Sequence, residues 1–167
     1  MFSKRLFLLP AVAATLLLSC LANANELREL TWQELVPEQQ LFEDLNAPQV
    51  DHSVVPDPYS NDSYGADVNE ELNGIQAKLP GFVVPLEIVD EGKISEFLLV
   101  PYFGACIHTP PPPPNQIVFV SMAKPIELEF MWEPVWVEGT FSVEFKQSMY
   151  GSAGYSLNAD SVKLYEY

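Results

Sequence analysis

The rhythm of apolar and polar positions changes near residue 73. From there onward, short apolar runs alternate with turn formers, a spacing that suits strands rather than helices. IQAKLPGFVVPLEIV (75–89) is rich in β-branched and aromatic residues and is interrupted by Pro80-Gly81 and Pro85. Asp90-Glu91-Gly92-Lys93 reads as a turn, and ISEFLLVPYF (94–103) as the second strand of a hairpin. IVFVSM (117–122) predicts a third strand. VWVEGTFSVEF (135–145) predicts a fourth, with alternation at Val135 and Val137 and again at Phe141, Val143 and Phe145. Gly139 falls where a bulge or sharp bend would sit. YSLNADSVKLYEY (155–167) supplies the fifth, and no internal repeat is visible. Five strands with a glycine bend predict a mainly all-β domain over 73–167, a small five-stranded OB-like Greek-key barrel, with an open sandwich as the second architecture. About 95 residues suffice for one core but not for two.

Before residue 73 the pattern is different. Residues 25–72 carry twelve Asp or Glu with Arg28 as their only base, whereas residues 73–167 carry eleven acids and five lysines. The first part is poor in β-branched residues and rich in turn formers, as in APQVDHSVVPDPYSNDSYGADVN. This composition predicts an acidic N-terminal arm, least ordered over 44–68, joined to the folded domain. The arm opens with LTWQELVPEQQLFEDL, in which Thr31 caps a short helix and Glu34 completes a capping box. Trp32, Leu35 and Leu41 are placed to pack that helix onto the domain.

Residues 1–24 form a secretory signal: Lys4 and Arg5, the apolar stretch from Leu6 to Leu18, and Ala22-Asn23-Ala24 as the cleavage site. Cleavage after Ala24 leaves 143 residues with formal charge −17 instead of −15. The rival reading is a lipobox at Leu17-Leu18-Ser19-Cys20, with Cys20 lipidated and the protein anchored in the envelope. The expected location is therefore the periplasm, with membrane attachment only through Cys20. Basic residues are not clustered, which argues against nucleic acid and against an anionic membrane as partners. The acidity suits a cationic partner or ion.

Candidate chemistry is concentrated in YFGACIHTPPPPPNQ (102–116). If Ala105 to His108 continues a strand, Cys106 and His108 face the same side, because strand side chains alternate. A thiolate and an imidazole together can ligate zinc or copper. Two ligands are too few for a tight site; His52, a carboxylate of the arm, or Met122 for Cu(I) are candidates for a third. The bland alternative is a buried cysteine beside a histidine bonded to backbone. A Cys–His nucleophile pair is a third option, with Asn115 or Gln116 as the orienting group, and it would show as a reactive thiol of low pKa. After cleavage at Ala24 the chain keeps only Cys106, so an internal disulfide is excluded.

Pro110, Pro111, Pro112, Pro113 and Pro114 predict a polyproline II rod of about 15 Å, any of whose bonds can be cis. One reading is a recognition rod, with Asn115 and Gln116 at its end, for an aromatic groove on another protein. The other is an internal brace packed on Tyr102, Phe103, Trp132 or Trp136. Trp132, Trp136, Tyr150 and Tyr155 also offer aromatic surface, most of it expected in the core.

GFVVPLE (81–87), FLLVPYFGACIHTPPPPPNQIVFV (97–120), VWVEGTF (135–141) and the early LTWQELVP (30–37) resemble the DUF3299 family of secreted bacterial proteins. The likeness spans most of the mature chain, and the GACIHTPPPPPNQ run is its most specific part. It implies a periplasmic protein or lipoprotein without an established activity. Some members are similar to small accessory components encoded with ABC-type transporters, including zinc-linked systems. The expected function is thus a non-enzymatic accessory protein of an envelope transport system, binding zinc or another transition metal through Cys106 and His108 or docking a transporter subunit. The alternative is a protein-interaction module in which the arm and the prolines bind and Cys106 and His108 are structural.

Overall fold

The structure is a computed structural model and describes residues 27–38, 67–89, 92–105, 111–127 and 132–166. The signal segment with Cys20, the arm residues Leu41 and His52, and the stretch 44–66 lie outside the described residues.

Among the described residues eight strands form in chain order: β1 (Arg28–Glu29), β2 (Gln76–Ile88), β3 (Ile94–Val100), β4 (Val118–Ile126), β5 (Val135–Ser142), β6 (Lys146–Ser148), β7 (Gly151–Ala153) and β8 (Tyr155–Leu164). Five of them make a closed barrel in the order β2-β3-β4-β8-β5 and back to β2. Every neighbouring pair in the ring is antiparallel except β4 and β8, which run parallel. This is the OB arrangement, and the chain is all-β as its alternation predicts. The small β6–β7 hairpin and the two-residue β1 stand outside the ring.

Closure depends on β2 serving two partners. Gln76–Gly81 pairs with β5 and Phe82–Ile88 pairs with β3. The sequence suggests a break at Pro80-Gly81, yet the strand runs through, and the reason is local. Backbone groups of alternate residues point to one edge. Lys78 offers its carbonyl to Leu30 N on the β1 side, so Pro80 presents its edge on that side too, beyond the end of β1 and before the start of β3. The N–H that proline lacks has no strand to meet there. Its carbonyl accepts from the indole Nε1 of Trp32 at 2.7 Å. Pro85 sits beside a register shift in the β2–β3 pairing, where a bulge accommodates it.

The inward positions are those of the alternation: Ala77, Leu79 and Val83 on β2, Phe97 and Leu99 on β3, Val118 and Val120 on β4, Val135, Val137 and Phe141 on β5, Tyr155 and Leu157 on β8. The pieces of the acidic segment that the structure describes join the same core, with Leu30, Leu35 and Leu72 fully buried. The expected helix is a 3-10 turn of four residues, Trp32–Leu35. Val36 is held extended by the following Pro37, which stops propagation. Glu34 does close back on Thr31, accepting from its N–H at 2.7 Å and its hydroxyl at 2.9 Å. Burial pushes the Glu34 carboxyl up, but the Thr31 hydrogen bonds and the Arg28 guanidinium at 2.6 Å outweigh it and hold it below the usual range.

Gly139 sits at a register shift, where Glu138 faces Ser161 and Gly139 faces Ala159. Asp160 is the extra residue. A Cβ at position 139 would fall 2.1 Å from the Asn158 carbonyl oxygen and 2.8 Å from the Ala159 Cα. Both are backbone atoms of a paired strand and cannot swing aside. Gly139→Ala is expected to lose about 2 kcal/mol or more, read by urea denaturation; a midpoint equal to wild type would show that the bulge relaxes freely.

Candidate functional site

β3 carries an uninterrupted apolar run, Phe97-Leu98-Leu99-Val100, all buried. A strand facing water on one side would alternate; a continuous run means that both faces are covered. Phe97 and Leu99 belong to the barrel interior, while Leu98 and Val100 belong to a second apolar cluster on the outer side with Val84, Ala105, Ile117 and Ala153. Phe82, Leu86, Phe119 and Tyr150 pack around its margin, partly exposed. The outer face of β2, β3 and β4 is therefore roofed by the β3–β4 connection and by the β6–β7 hairpin.

The proline segment is built into this roof. Pro112 is buried. The Pro111 Cβ lies 3.2 Å from the point a side chain would occupy at Gly151, whose φ is +149°. Gly154 N donates to the Pro114 carbonyl at 2.7 Å. Pro113 has polyproline II geometry, and Pro114–Gln116 turns into β4 as a 3-10 turn. Among the described residues every peptide bond is trans.

Asn115 and Gln116 use their amides on backbone. Asn115 is buried, and its Nδ2 donates to the Asp67 carbonyl at 3.0 Å. Gln116 Nε2 donates to the Trp32 carbonyl at 2.8 Å. Tyr155 repeats the motif from the barrel side: its hydroxyl donates to the Leu35 carbonyl and accepts from Asn69 N, each at 2.6 Å. Asn69 Nδ2 donates to the Glu34 carbonyl at 3.0 Å. One hydrogen-bonded clasp thus joins the segments around Leu35 and Asp67 to the barrel.

Cys106, His108 and Pro110 lie outside the described residues. Their flanks are fixed, with Ala105 fully buried on one side and Pro111 against Gly151 on the other. Among the described residues no three His, Cys, Asp or Glu side chains come together as a metal cluster. Met122 is partly buried against the barrel core. Of the aromatic side chains, Tyr155 is core, Tyr150 packs on the outer cluster, and Trp132 is exposed. Trp136 stacks on Tyr165 at 5.2 Å, with Lys78 Nζ 4.5 Å from its ring centroid. Sequence reasoning missed the roof and the clasp. The FLLV run was the readable signal for the first; nothing local signals the second, because it joins residues far apart in the chain.

The chain matches, over residues 32–164, the family described as protein of unknown function (DUF3299). A crystal structure of a DUF3299 family protein from Pseudomonas aeruginosa PAO1 is similar, with 42% sequence identity and a TM-score of 0.68, covering 86% of this chain and 99% of that one. Curated proteins offer no match.

Two predictions follow from the geometry. Burial pushes the Tyr155 hydroxyl up to about 12, so the folded state favours the protonated phenol. A raised folded value gives stability that is complete below the ordinary value near 10 and is lost as pH rises through about 12. Tyr155→Phe leaves the buried Leu35 carbonyl and the part-buried Asn69 N–H without this partner, at about 1–3 kcal/mol for the buried group. It should therefore melt lower at neutral pH and lose part of the alkaline fall between pH 10 and 12; an alkaline profile identical to wild type would refute the assignment. Replacing Pro111, Pro112 and Pro113 by alanine frees three φ angles in the unfolded chain at about 0.4–1 kcal/mol each. Lost packing of buried Pro112 adds to this. A melting temperature lower by roughly 5 °C or more is expected, and a change of only a degree or two would show that the segment bears no structural load.

Proposed function

We propose that this chain, which belongs to the DUF3299 family, is a non-enzymatic accessory protein of the bacterial periplasm that works by docking to a component of an envelope transport system. The secretory segment 1–24 supports the location. The observation that carries the docking reading is the roof. OB barrels take ligands on the face of their second and third strands, between the loops that flank it. Here those strands are β3 and β4, and the chain's own proline segment and β6–β7 hairpin lie on their outer face. The hairpin belongs to the loop between the fourth and fifth barrel strands, one of the two that commonly grip a ligand. Contact with a partner then falls on the roof and its margin, where Phe103 is 60% exposed and Met149 79%. Meanwhile Asn115, Gln116 and Tyr155, the polar side chains nearest the roof's lower edge, are spent on the clasp.

A metal-handling form of the same function places zinc, or copper, on Cys106 and His108. The described residues supply no ready-made set of further ligands, so His52 or a carboxylate from the acidic arm would complete the site. The experiment is metal analysis of protein prepared without a histidine tag. Binding of about one ion per chain is expected, weakening at low pH because both ligands must lose protons. Cys106→Ser and His108→Ala should each abolish it with the β-sheet circular dichroism unchanged. Equal metal content in both variants would remove the metal and leave docking as the function.

A further inference from the structure

The margin of the roof carries a charge arrangement that the fold itself does not require. On the outer face, cross-strand partners form successive rows: Phe82 with Val100, then Val84 with Leu98 and Phe119, then Glu87 with Glu96 and Ser121. Two glutamates thus stand directly opposite each other on neighbouring strands, one row from Phe119. Like charges in that relation are destabilising. Glu87 accepts from Ser95 Oγ at 2.6 Å. Neither carboxylate has a lysine or arginine ion-pair partner among the described residues.

An apolar margin begins next to the acidic row, at Leu86 and Phe119, and reaches Phe82 two rows further along the sheet. Phe103 meets Phe82 edge-on with ring centroids 6.0 Å apart. Phe82, Leu86, Phe119 and Tyr150 surround one buried cluster, and Met149 projects from the hairpin turn beside Tyr150. Exposed aromatic and methionine side chains next to desolvated surface have the composition of an interface centre. Paired carboxylates at its border select a positive rim.

From this juxtaposition we infer that the docking partner presents an apolar segment flanked by lysine or arginine, seated with its apolar side chains on Phe103, Phe82 and Met149 and its cations on Glu87 and Glu96. The inference rests on the docking function proposed above and adds the chemistry of the partner. It also explains the like-charge pair: the repulsion is relieved only in the complex.

The test uses the full mature chain and a fluorescein-labelled 12-residue peptide with a leucine and tryptophan centre flanked by lysines, with a glutamate-for-lysine peptide as control. Anisotropy at low salt should show the lysine peptide binding at least tenfold tighter than the glutamate one. Phe103→Ser and Met149→Ser should each weaken binding several-fold, and the Glu87→Gln/Glu96→Gln pair about tenfold. Glu70→Gln/Glu71→Gln, an equal change of charge elsewhere, should leave binding unchanged. Independently, Glu96→Gln alone should melt higher than wild type, since it removes the repulsion and keeps the Ser95 bond. Equal weakening by both glutamine pairs would mean diffuse attraction to an acidic protein and overturn the site. Loss of binding in Phe103→Ser and Met149→Ser with no effect of Glu87→Gln/Glu96→Gln would overturn the basic partner while docking stands. Binding indifferent to all four changes would overturn both.

Discussion

A single strand with two partners holds this molecule closed. The ring has no free edge between β5 and β3 because β2 pairs with one over its first half and with the other over its second. The change of partner must happen where the backbone can forgo a ladder bond on one side. Pro80 supplies that position, and Trp32 takes the one polar group left over. Gly81 follows where a side chain would strike Leu99 and the Val100 carbonyl, each at 2.8 Å. Closing the ring also brings the start of β2 beside the end of β5, where the Gly74 N–H donates to the Phe141 carbonyl and the Phe141 N–H to the Ile75 carbonyl.

The base of the barrel follows from this closure. β8 begins with Tyr155, whose ring packs against Phe141 at 5.5 Å. Its hydroxyl then stands between Leu35 and Asn69 of the acidic segment. A phenol there satisfies one carbonyl and one N–H that would otherwise be buried and unmet. Asn115 and Gln116 do the same from the roof side. Roof, barrel and the described parts of the acidic segment therefore share one clasp.

A barrel of this size fills its interior with side chains, so the docking proposed for this chain concerns the outer face. The strands that would serve are apolar and roofed by the chain itself, and what remains open is the margin, with its aromatic shelf and its row of carboxylates.

Local chemistry was enough to read the all-β class, the positions of all five barrel strands, the bulge opposite Gly139 and the reciprocal contact of Thr31 and Glu34. Each depends on alternation or on neighbours within a few residues, and such constraints are written along the chain. The sequence also singled out the 102–116 stretch, though not what its parts do: the prolines read as rod or as brace, with the brace preferred, and Asn115 and Gln116 as orienting groups. Only the tertiary structure shows their contacts, with Gly151 and Gly154 against the prolines and the Asp67 and Trp32 carbonyls against the amides. The 3-10 turn in place of a helix, the second apolar layer and the facing pair Glu87 and Glu96 were likewise settled by packing and register. Those relations join residues distant in sequence, and their energies exist only once the ring has closed.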